Sequence, residues 1–210
     1  ADVRFTARSN GGHASAPPKN SPVARLAAFV DSMEKHPPFR KKFEPEVSAM
    51  FARLAAYAPF ALRLLFGNLW LFAPLMKLVM PALSPQAGAM LRTTAAFTML
   101  SGSDACNVLP QEASVWANLR FIPHQGMDES LALIKKRAEK YGIETEVFSA
   151  SDYSAPADIH GEAWRRVTDT IAEVFPGLAW SPYVMTGATD AKNYQAICDN
   201  CIRFAPVIYG

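Results

Sequence analysis

The hydrophobic and polar positions of the chain follow several distinct patterns, and the first two lie at its start. Residues 2–9 alternate, which predicts a strand, and residues 21–35 repeat apolar side chains every three to four positions, which predicts an amphipathic helix. We expect Ser21 to be the N-cap of this helix, with Pro22 at its first position. A strand followed by a helix therefore opens the chain.

From Thr93 the pattern returns to a period of two. Residues 94–100 and 113–122 are predicted strands, a helix capped by Asp128 runs through Lys140, and residues 143–148 form a further strand. The resulting element order predicts an α+β fold, in which a four-stranded antiparallel sheet carries two helices on one face, as in ferredoxin-like domains.

The stretch between these two parts, residues 47–91, is unusually apolar. Its uncharged run 64–76 is bounded by Arg63 and Lys77 and would span only about 20 Å as a helix, less than the roughly 30 Å of a bilayer core. Because Gly67 and Pro74 also interrupt it, a transmembrane helix is disfavoured. A buried helical hairpin is the expectation, and an interfacial membrane helix or a partner-binding patch stay open as alternatives.

After Ser149 the pattern becomes that of an α/β segment. A helix is predicted over 160–175, and short strands over 183–185 and 202–208 flank a glycine loop and a short helix. Such a unit needs further strands to complete a sheet. We therefore predict one domain over residues 1–150, with a helical insertion at about 46–92, and an incomplete domain over 151–210. Because the chain starts within a strand and ends in an apolar run, we expect it to be a piece of a longer protein.

Composition narrows the class of protein. The chain has 210 residues, 50% of them hydrophobic, and a net charge of +2, which favours a globular protein and argues against a nucleic-acid partner. Its three cysteines do not form a disulfide framework, and the single pair Cys198 and Cys201 lacks the second pair of a zinc site. We expect all three to be structural core residues. No signal peptide pattern precedes the first strand, and the localisation stays open.

Four places carry candidate chemistry: His13, Asn107, Arg120 and the loop from Thr186 to Asp190. His13 lies in Gly11-Gly12-His13-Ala14-Ser15-Ala16-Pro17-Pro18, where glycines and prolines would present the imidazole from a fixed turn. Structural roles stay open as well, because Asn107 could shape a turn, Arg120 could be a solvated strand residue and Asp190 could be the N-cap of the next helix. No local motif predicts a metal site within this chain.

These residues belong to six motifs that occur in the same order in a known family. The motifs are Gly11–Pro18, Asn68–Leu75, Arg92–Ala96, Asn107–Pro110, Asn118–Phe121 and Gly187–Lys192. Together they resemble the M20 family of zinc-dependent peptidases and amidohydrolases, in the branch that includes carboxypeptidase S and the N-acyl amino acid hydrolases.

The resemblance implies a lid domain that is inserted into a two-zinc catalytic domain and forms the dimer. His13 would reach across the dimer to polarise the scissile carbonyl, and Asn107 would assist it there. Arg120 would bind the free carboxylate of the substrate, a peptide or an N-acyl amino acid, while Thr186, Gly187 and Asp190 would lie at the floor of the cleft. Zinc would activate the attacking water, with a glutamate as its base.

The same resemblance places the zinc ligands and the base of the family outside the motifs present here. We therefore expect this chain alone to bind no zinc and to be inactive, and to form a homodimer through an edge strand and the helix of residues 21–35. Two other classes stay open. They are a stand-alone dimerisation or binding module, and a membrane-associated protein that docks through residues 64–76.

Overall fold

The computed structural model of the chain describes residues 1–187 and 189–204. Their contacts divide the chain into two compact units: residues 1–40 with 92–153, called here the sheet unit, and residues 41–91 with the chain from 154 onward, called the helical unit. The predicted domain boundary at residue 150 refers to the longer protein and stays a prediction.

The described residues form groups of strands and groups of helices along the chain. The strands are β1 (Asp2–Arg8), β2 (Gly12–His13), β3 (Thr94–Ser101), β4 (Val108–Leu109), β5 (Glu112–Arg120) and β6 (Glu144–Ser149). The helices are α1 (Pro22–Lys35), α2 (Pro45–Ala55), α3 (Phe60–Gly67), α4 (Leu69–Leu83), α5 (Pro85–Ala89), α6 (Met127–Glu139), α7 (Glu162–Val174) and α8 (Ala191–Tyr194).

The sheet unit contains the predicted four-stranded antiparallel sheet. Its strand order is β3-β5-β1-β6, so that Phe5 of β1 lies between Val115 of β5 and Thr145 of β6. Alternate residues of β1 and β5 point into one core, which α1 and α6 cover from the same side of the sheet. The fold class predicted from the sequence is thereby confirmed.

Phe29 of α1 is at the centre of this core. Its ring is fully buried and lies 4.9 Å from the ring of Phe5 and 5.7 Å from that of Phe97, measured between centroids. The predicted start of α1 is also confirmed, because Ser21 is the N-cap, its Oγ accepts a hydrogen bond from the backbone N–H of Ala24, and Pro22 follows it. Local sequence signals and burial thus agree for α1.

The prediction that Asp128 caps the helix running through Lys140 is wrong. Helix α6 begins at Met127 with Gly126 as its N-cap, and Asp128 lies inside the first turn. The acceptor for the backbone N–H of Met127 is instead Oδ1 of Asp152, at 3.0 Å. A carboxylate from a distant part of the chain therefore satisfies the helix terminus.

Gln125 joins the two points at which the chain leaves and re-enters the sheet unit. Its Oε1 accepts from the backbone N–H of Arg40 at 2.9 Å, and its backbone carbonyl accepts from the hydroxyls of Thr93 and Ser130 at 3.2 and 2.9 Å. Gln125, Thr93 and Ser130 are all buried. Because these polar groups satisfy one another, both ends of the insertion are fixed next to the same residue.

The insertion forms four helices, α2 to α5, and not the buried hairpin expected from its composition. An apolar cluster with Val47, Phe51, Met76 and Leu91 holds them together, but α3 contributes no buried residue. Within the described residues no single helix is long and apolar enough to span a membrane. The pair α3 and α4 passes that test only together, and it is bent by 106°.

The C-terminal part departs from the predicted α/β pattern. Helix α7 is present, but residues 183–185 and 202–204 form no strand, so those predictions are wrong. A buried strand of this kind needs a neighbour to accept its backbone hydrogen bonds, and the described residues of the helical unit provide no sheet. Residues 205–208 of the second predicted strand lie outside the described residues, as does Ala188.

Candidate active-site residues of the lid

His13 and Asn107 lie side by side although 94 positions separate them in the sequence. Strands β2 and β4 pair antiparallel, with Gly12 opposite Leu109 and His13 opposite Val108. Beyond this pair, the backbone N–H of Ala14 donates to the carbonyl of Asn107 at 3.0 Å. A ladder of only two residues therefore brings both predicted site residues together at one end of the sheet unit.

Glycine is required where the histidine loop approaches β4. Gly11 has φ +68°, and a Cβ placed on it would lie 2.8 Å from Cγ of Gln111 and 3.2 Å from the carbonyl oxygen of Leu109. Gly12 also has a positive φ, of +147°. Side chains are strained at such positive φ values, and at Gly11 a Cβ would also collide, so the two glycines allow His13 to sit against β4.

The hydrogen bonds of the imidazole define its tautomer. The side chain of His13 is exposed. Its Nδ1 lies 2.8 Å from Oγ of Ser15 and accepts the backbone N–H of Ser15 at 3.2 Å. A backbone N–H can only donate, so Nδ1 carries no proton, and in the neutral ring the proton is on Nε2. Nε2 of His13 is therefore the hydrogen-bond donor of the neutral ring.

Ser15 is the residue of this site that the sequence analysis did not single out. Ser15 stands two positions after His13 in the histidine motif. At this spacing on a tight turn, a hydroxyl is within reach of the imidazole ring. Its backbone and its side chain both contact Nδ1 of His13. We infer that Ser15 orients the ring.

Arg120 lies at the opposite end of the sheet. It is the last residue of β5 and faces Thr94, whereas Glu112, the first residue of β5, faces Arg8, just before the histidine loop. The eight residue steps between Glu112 and Arg120 correspond to about 26 Å along a strand. The structure thus does not bring Arg120 together with His13 and Asn107 in one chain.

The surroundings of Arg120 carry a perturbed carboxylate. Asn118 and the hydroxyl of Ser149 donate to the two carboxylate oxygens of Asp2, each at 2.7 Å. These hydrogen bonds lower the pKa of Asp2, and the positive charge of Arg120 contributes in the same direction. Asp2 is therefore ionised through the neutral pH range, and Arg120 is exposed beside it.

The predicted cleft-floor residues belong to the helical unit. Thr186, Gly187 and Asp190 are all exposed. Asp190 occupies the N-cap position of α8, but its side chain makes no capping hydrogen bond. The neighbouring Thr189 accepts a hydrogen bond at 2.6 Å from Nε of Arg203. Their roles in substrate binding stay predictions.

The cysteines are not core residues, so that expectation is wrong. Cys106 and Cys198 are exposed and Cys201 is half-buried, all three with free thiols. Burial and the hydrogen bond to Cys198 raise the pKa of Cys201, which disfavours its reactive thiolate. Over residues 1–187 and 189–204, no three histidine, cysteine or acidic side chains come together in a group that could hold a metal ion.

The fold described above also occurs in solved structures of hydrolases. Among solved structures, the M20 family metallo-carboxypeptidase Sso-CP2 from Sulfolobus solfataricus has the same fold, with a TM-score of 0.55 and 15% identity over 92% of this chain and 53% of that chain. At this identity the likeness concerns the fold alone. Residues 1–146 match the peptidase dimerisation domain of the M20 peptidases, and the chain belongs to this family.

Curated relatives agree with this assignment. The chain is 28% identical to a probable carboxypeptidase S-like 2 from Dictyostelium discoideum, over 99% of this chain and 40% of that protein. It is 31% identical to the N-fatty-acyl-amino acid synthase/hydrolase PM20D1 from Homo sapiens, over 93% of this chain and 39% of that protein. The chain therefore spans about two fifths of the length of these relatives.

Proposed function

We propose that the chain is the lid part of a longer M20 hydrolase that cleaves the amide bond of a peptide or an N-acyl amino acid beside a free carboxylate. Its family, the named activities of its relatives and the share of their length that it spans support this proposal. The lid would supply dimerisation and substrate contacts, and the rest of the enzyme would supply the reaction centre.

The observation that carries the proposal is the short ladder between β2 and β4, which places His13 next to Asn107. With Nδ1 held by Ser15, the Nε2–H of His13 points outward as a donor. It would donate to the scissile carbonyl oxygen as negative charge develops there, and the side-chain amide of Asn107 would offer a second donor. Two oriented donors at a developing oxyanion are a common means of lowering the barrier to amide hydrolysis.

Arg120 would bind the carboxylate of the same substrate with the two parallel hydrogen bonds of its guanidinium. In an N-acyl amino acid only the nitrogen and the α-carbon separate the carboxylate from the scissile carbonyl. Because about 26 Å of strand separates Arg120 from the histidine end of the sheet, one chain cannot supply both residues to one substrate. We therefore propose that His13 and Asn107 serve the partner subunit's site in a two-fold symmetric dimer.

The two zinc ions that the M20 resemblance implies do not fit the residues described here, which hold no suitable ligand group. We propose that both ions bind to the part of the enzyme outside this chain. Metal analysis of the purified 210-residue chain is expected to find less than stoichiometric zinc. Tight stoichiometric zinc would contradict this assignment.

The substrate test compares Arg120→Ala and Arg120→Lys in the longer enzyme. On N-acyl amino acids with a free carboxylate, Arg120→Ala is expected to lower kcat/KM about 10- to 100-fold, the range for losing hydrogen bonds to a charged group. On the matching amidated substrates it should have little effect. Arg120→Lys keeps the positive charge but cannot form the two parallel hydrogen bonds of a guanidinium, so its kcat/KM should lie between those of Arg120→Ala and the unmodified enzyme. Equal losses on both substrates, or no hydrolysis of either by the unmodified enzyme, would refute the proposal.

A further inference from the structure

Helix α4 exposes a surface that has no polar side chain. Trp70, Leu71, Leu75 and Leu78 lie on one side of the helix, and Trp70 and Leu78 are 80% and 70% exposed. The opposite side packs Met76 and Met80 into the apolar cluster of the insertion. A helix on the surface of a soluble domain normally turns polar residues outward. This surface, called here the insertion face, is therefore built to contact something apolar.

The charged residues of the insertion sequence have one sign. Residues 47–91 contain Arg53, Arg63 and Lys77 but neither aspartate nor glutamate. Acidic and basic residues nearly balance in the chain as a whole, which has 19 and 21 of them. An apolar surface on a segment whose charges are all positive is complementary to an apolar layer with anionic groups at its edge.

We propose that the insertion face docks on the surface of a bilayer that contains anionic phospholipid, with α4 lying in the plane of the headgroups. Helix α4 has 15 residues and is about 22 Å long, too short to cross a bilayer core of roughly 30 Å. Helix α3 is bent by 106° from it. Such a pair enters the interface without spanning the membrane.

Two side-chain features agree with an interfacial position. Trp70 lies in the first turn of α4, and tryptophan prefers the boundary between headgroups and acyl chains. Lys77 is half-buried and Arg63 is exposed, and both have long apolar stems that allow their charges to reach the headgroups.

A second copy of the chain fits this surface less well than a lipid layer does. Two copies in contact through their insertion faces would bring together segments that carry cations and no carboxylate. A protein partner would have to match these cations with acidic groups beside an apolar surface of its own. The membrane is therefore the occupant that the charges and the apolar area favour together.

The test measures co-sedimentation of the 210-residue chain with vesicles of phosphatidylcholine, with and without phosphatidylserine. Binding is expected only when phosphatidylserine is present, and it should weaken with salt. The triple variant Leu71→Gln, Leu75→Gln and Leu78→Gln should lower the partition coefficient about 100-fold, because half-burial of each leucine is worth about a factor of five. Neutralising Arg63 and Lys77 should cost about fivefold each on anionic vesicles.

A matched control replaces Leu100, Val147 and Val174, which are exposed apolar residues outside the insertion, with glutamine. This control should bind vesicles like the unmodified chain. Brominated lipid should quench the tryptophan fluorescence of the chain, and Trp70→Phe should remove most of that quenching. Quenching that persists in Trp70→Phe would place another surface on the membrane and overturn the proposal.

Other results would also overturn it. Equal binding to neutral vesicles would remove the role of the cations, and binding that the triple leucine variant retains would exclude the insertion face. If the leucine variants instead dissociate a dimer in sedimentation velocity, and vesicles bind neither form, the occupant is a second copy. The longer enzyme should bind anionic vesicles as the chain does, and failure there would assign the insertion face to contacts within that enzyme.

Discussion

Mixing the His13→Ala variant with the Arg120→Ala variant would test directly whether His13 and Arg120 serve one active site from different subunits. Arg120 ends β5, whereas His13 lies in the loop that follows β1 beyond the other end of β5, and β5 is about 26 Å long. In the longer enzyme, His13→Ala should lower kcat about 10²- to 10³-fold, the scale of losing an oxyanion donor. Arg120→Ala should mainly weaken the binding of carboxylate substrates. Each homodimer then carries the same defect in both of its sites.

The activity expected for the mixture follows from the two-fold symmetry of the dimer. In a mixed dimer, one site receives both altered residues and the other receives the unaltered His13 of one chain and the unaltered Arg120 of the other. Random exchange of equal amounts makes half of the dimers mixed, so the mixture should regain about a quarter of the unmodified activity. Purified mixed dimers, selected with two different affinity tags, should reach about half.

The assay records kcat/KM at low substrate concentration, so that both defects are visible. If both residues came from one chain, every site of the mixed dimer would keep one defect and no activity would return. That result, obtained with mixed dimers whose composition has been verified, would refute the assignment of His13 to the partner's site. Mixing two independent His13→Ala preparations is the control and should recover nothing.

Three further predictions concern the chain itself. Phe29→Ala should lower the free energy of unfolding by about 3–5 kcal/mol in urea denaturation, because a fully buried ring is lost, while Val23→Ala on the exposed side of the same helix should cost less than about 0.5 kcal/mol. Gly11→Ala should cost about 1–2 kcal/mol, because its φ is +68°, and it should speed amide exchange at Ala14; unchanged exchange would show that the loop tolerates a Cβ. The folded-state pKa of Asp2 lies below its ordinary value of 3.8, so its ionised form contributes stability above about pH 4 that is lost as the pH falls through the folded pKa. Asp2→Ala should therefore lower Tm at pH 7, and this difference should shrink as the pH falls below about 4, whereas a constant difference would exclude the ionised carboxylate as its cause.

The sheet unit was predictable wherever the decisive signals are local. Ser21 and Pro22 mark the start of α1, and alternation along β1 and β5 identifies their buried faces. The start of α6 was not predictable, because its acceptor, Asp152, comes from a later part of the chain. Local capping rules favour an acidic residue near the helix start, and Asp128 satisfied them without being the cap.

The insertion and the C-terminal segment show a different limit. The break between α3 and α4 follows Gly67, where the sequence is interrupted. A run of apolar residues without charges has no periodic signal that would separate a buried face from an exposed one, so the outward position of Trp70 emerges only from packing. The strand predicted over 183–185 had a suitable composition. Composition, however, does not supply the neighbouring strand that its backbone requires.

The sequence selected candidate residues for the site, whose roles stay predictions, but it did not reveal their arrangement. The motif resemblance selected His13, Asn107 and Arg120, and their types alone indicate donors and a carboxylate ligand. That the first two are neighbours depends on a two-residue ladder between β2 and β4. No periodicity in the sequence reports so short a pairing, and none reports the contact of Ser15 with Nδ1 of His13.

The fixation of both ends of the insertion at Gln125 has an evolutionary consequence. Since the backbone N–H of Arg40 and the hydroxyl of Thr93 are bound to one glutamine inside the sheet unit, the chain between them is tethered at a single anchoring point. Its length and composition can drift, or one insertion can be exchanged for another, while the four strands and two helices keep their register. Proteins built on this plan can thus acquire new accessory surfaces by changing that one segment, and the residues of the candidate site remain where they are.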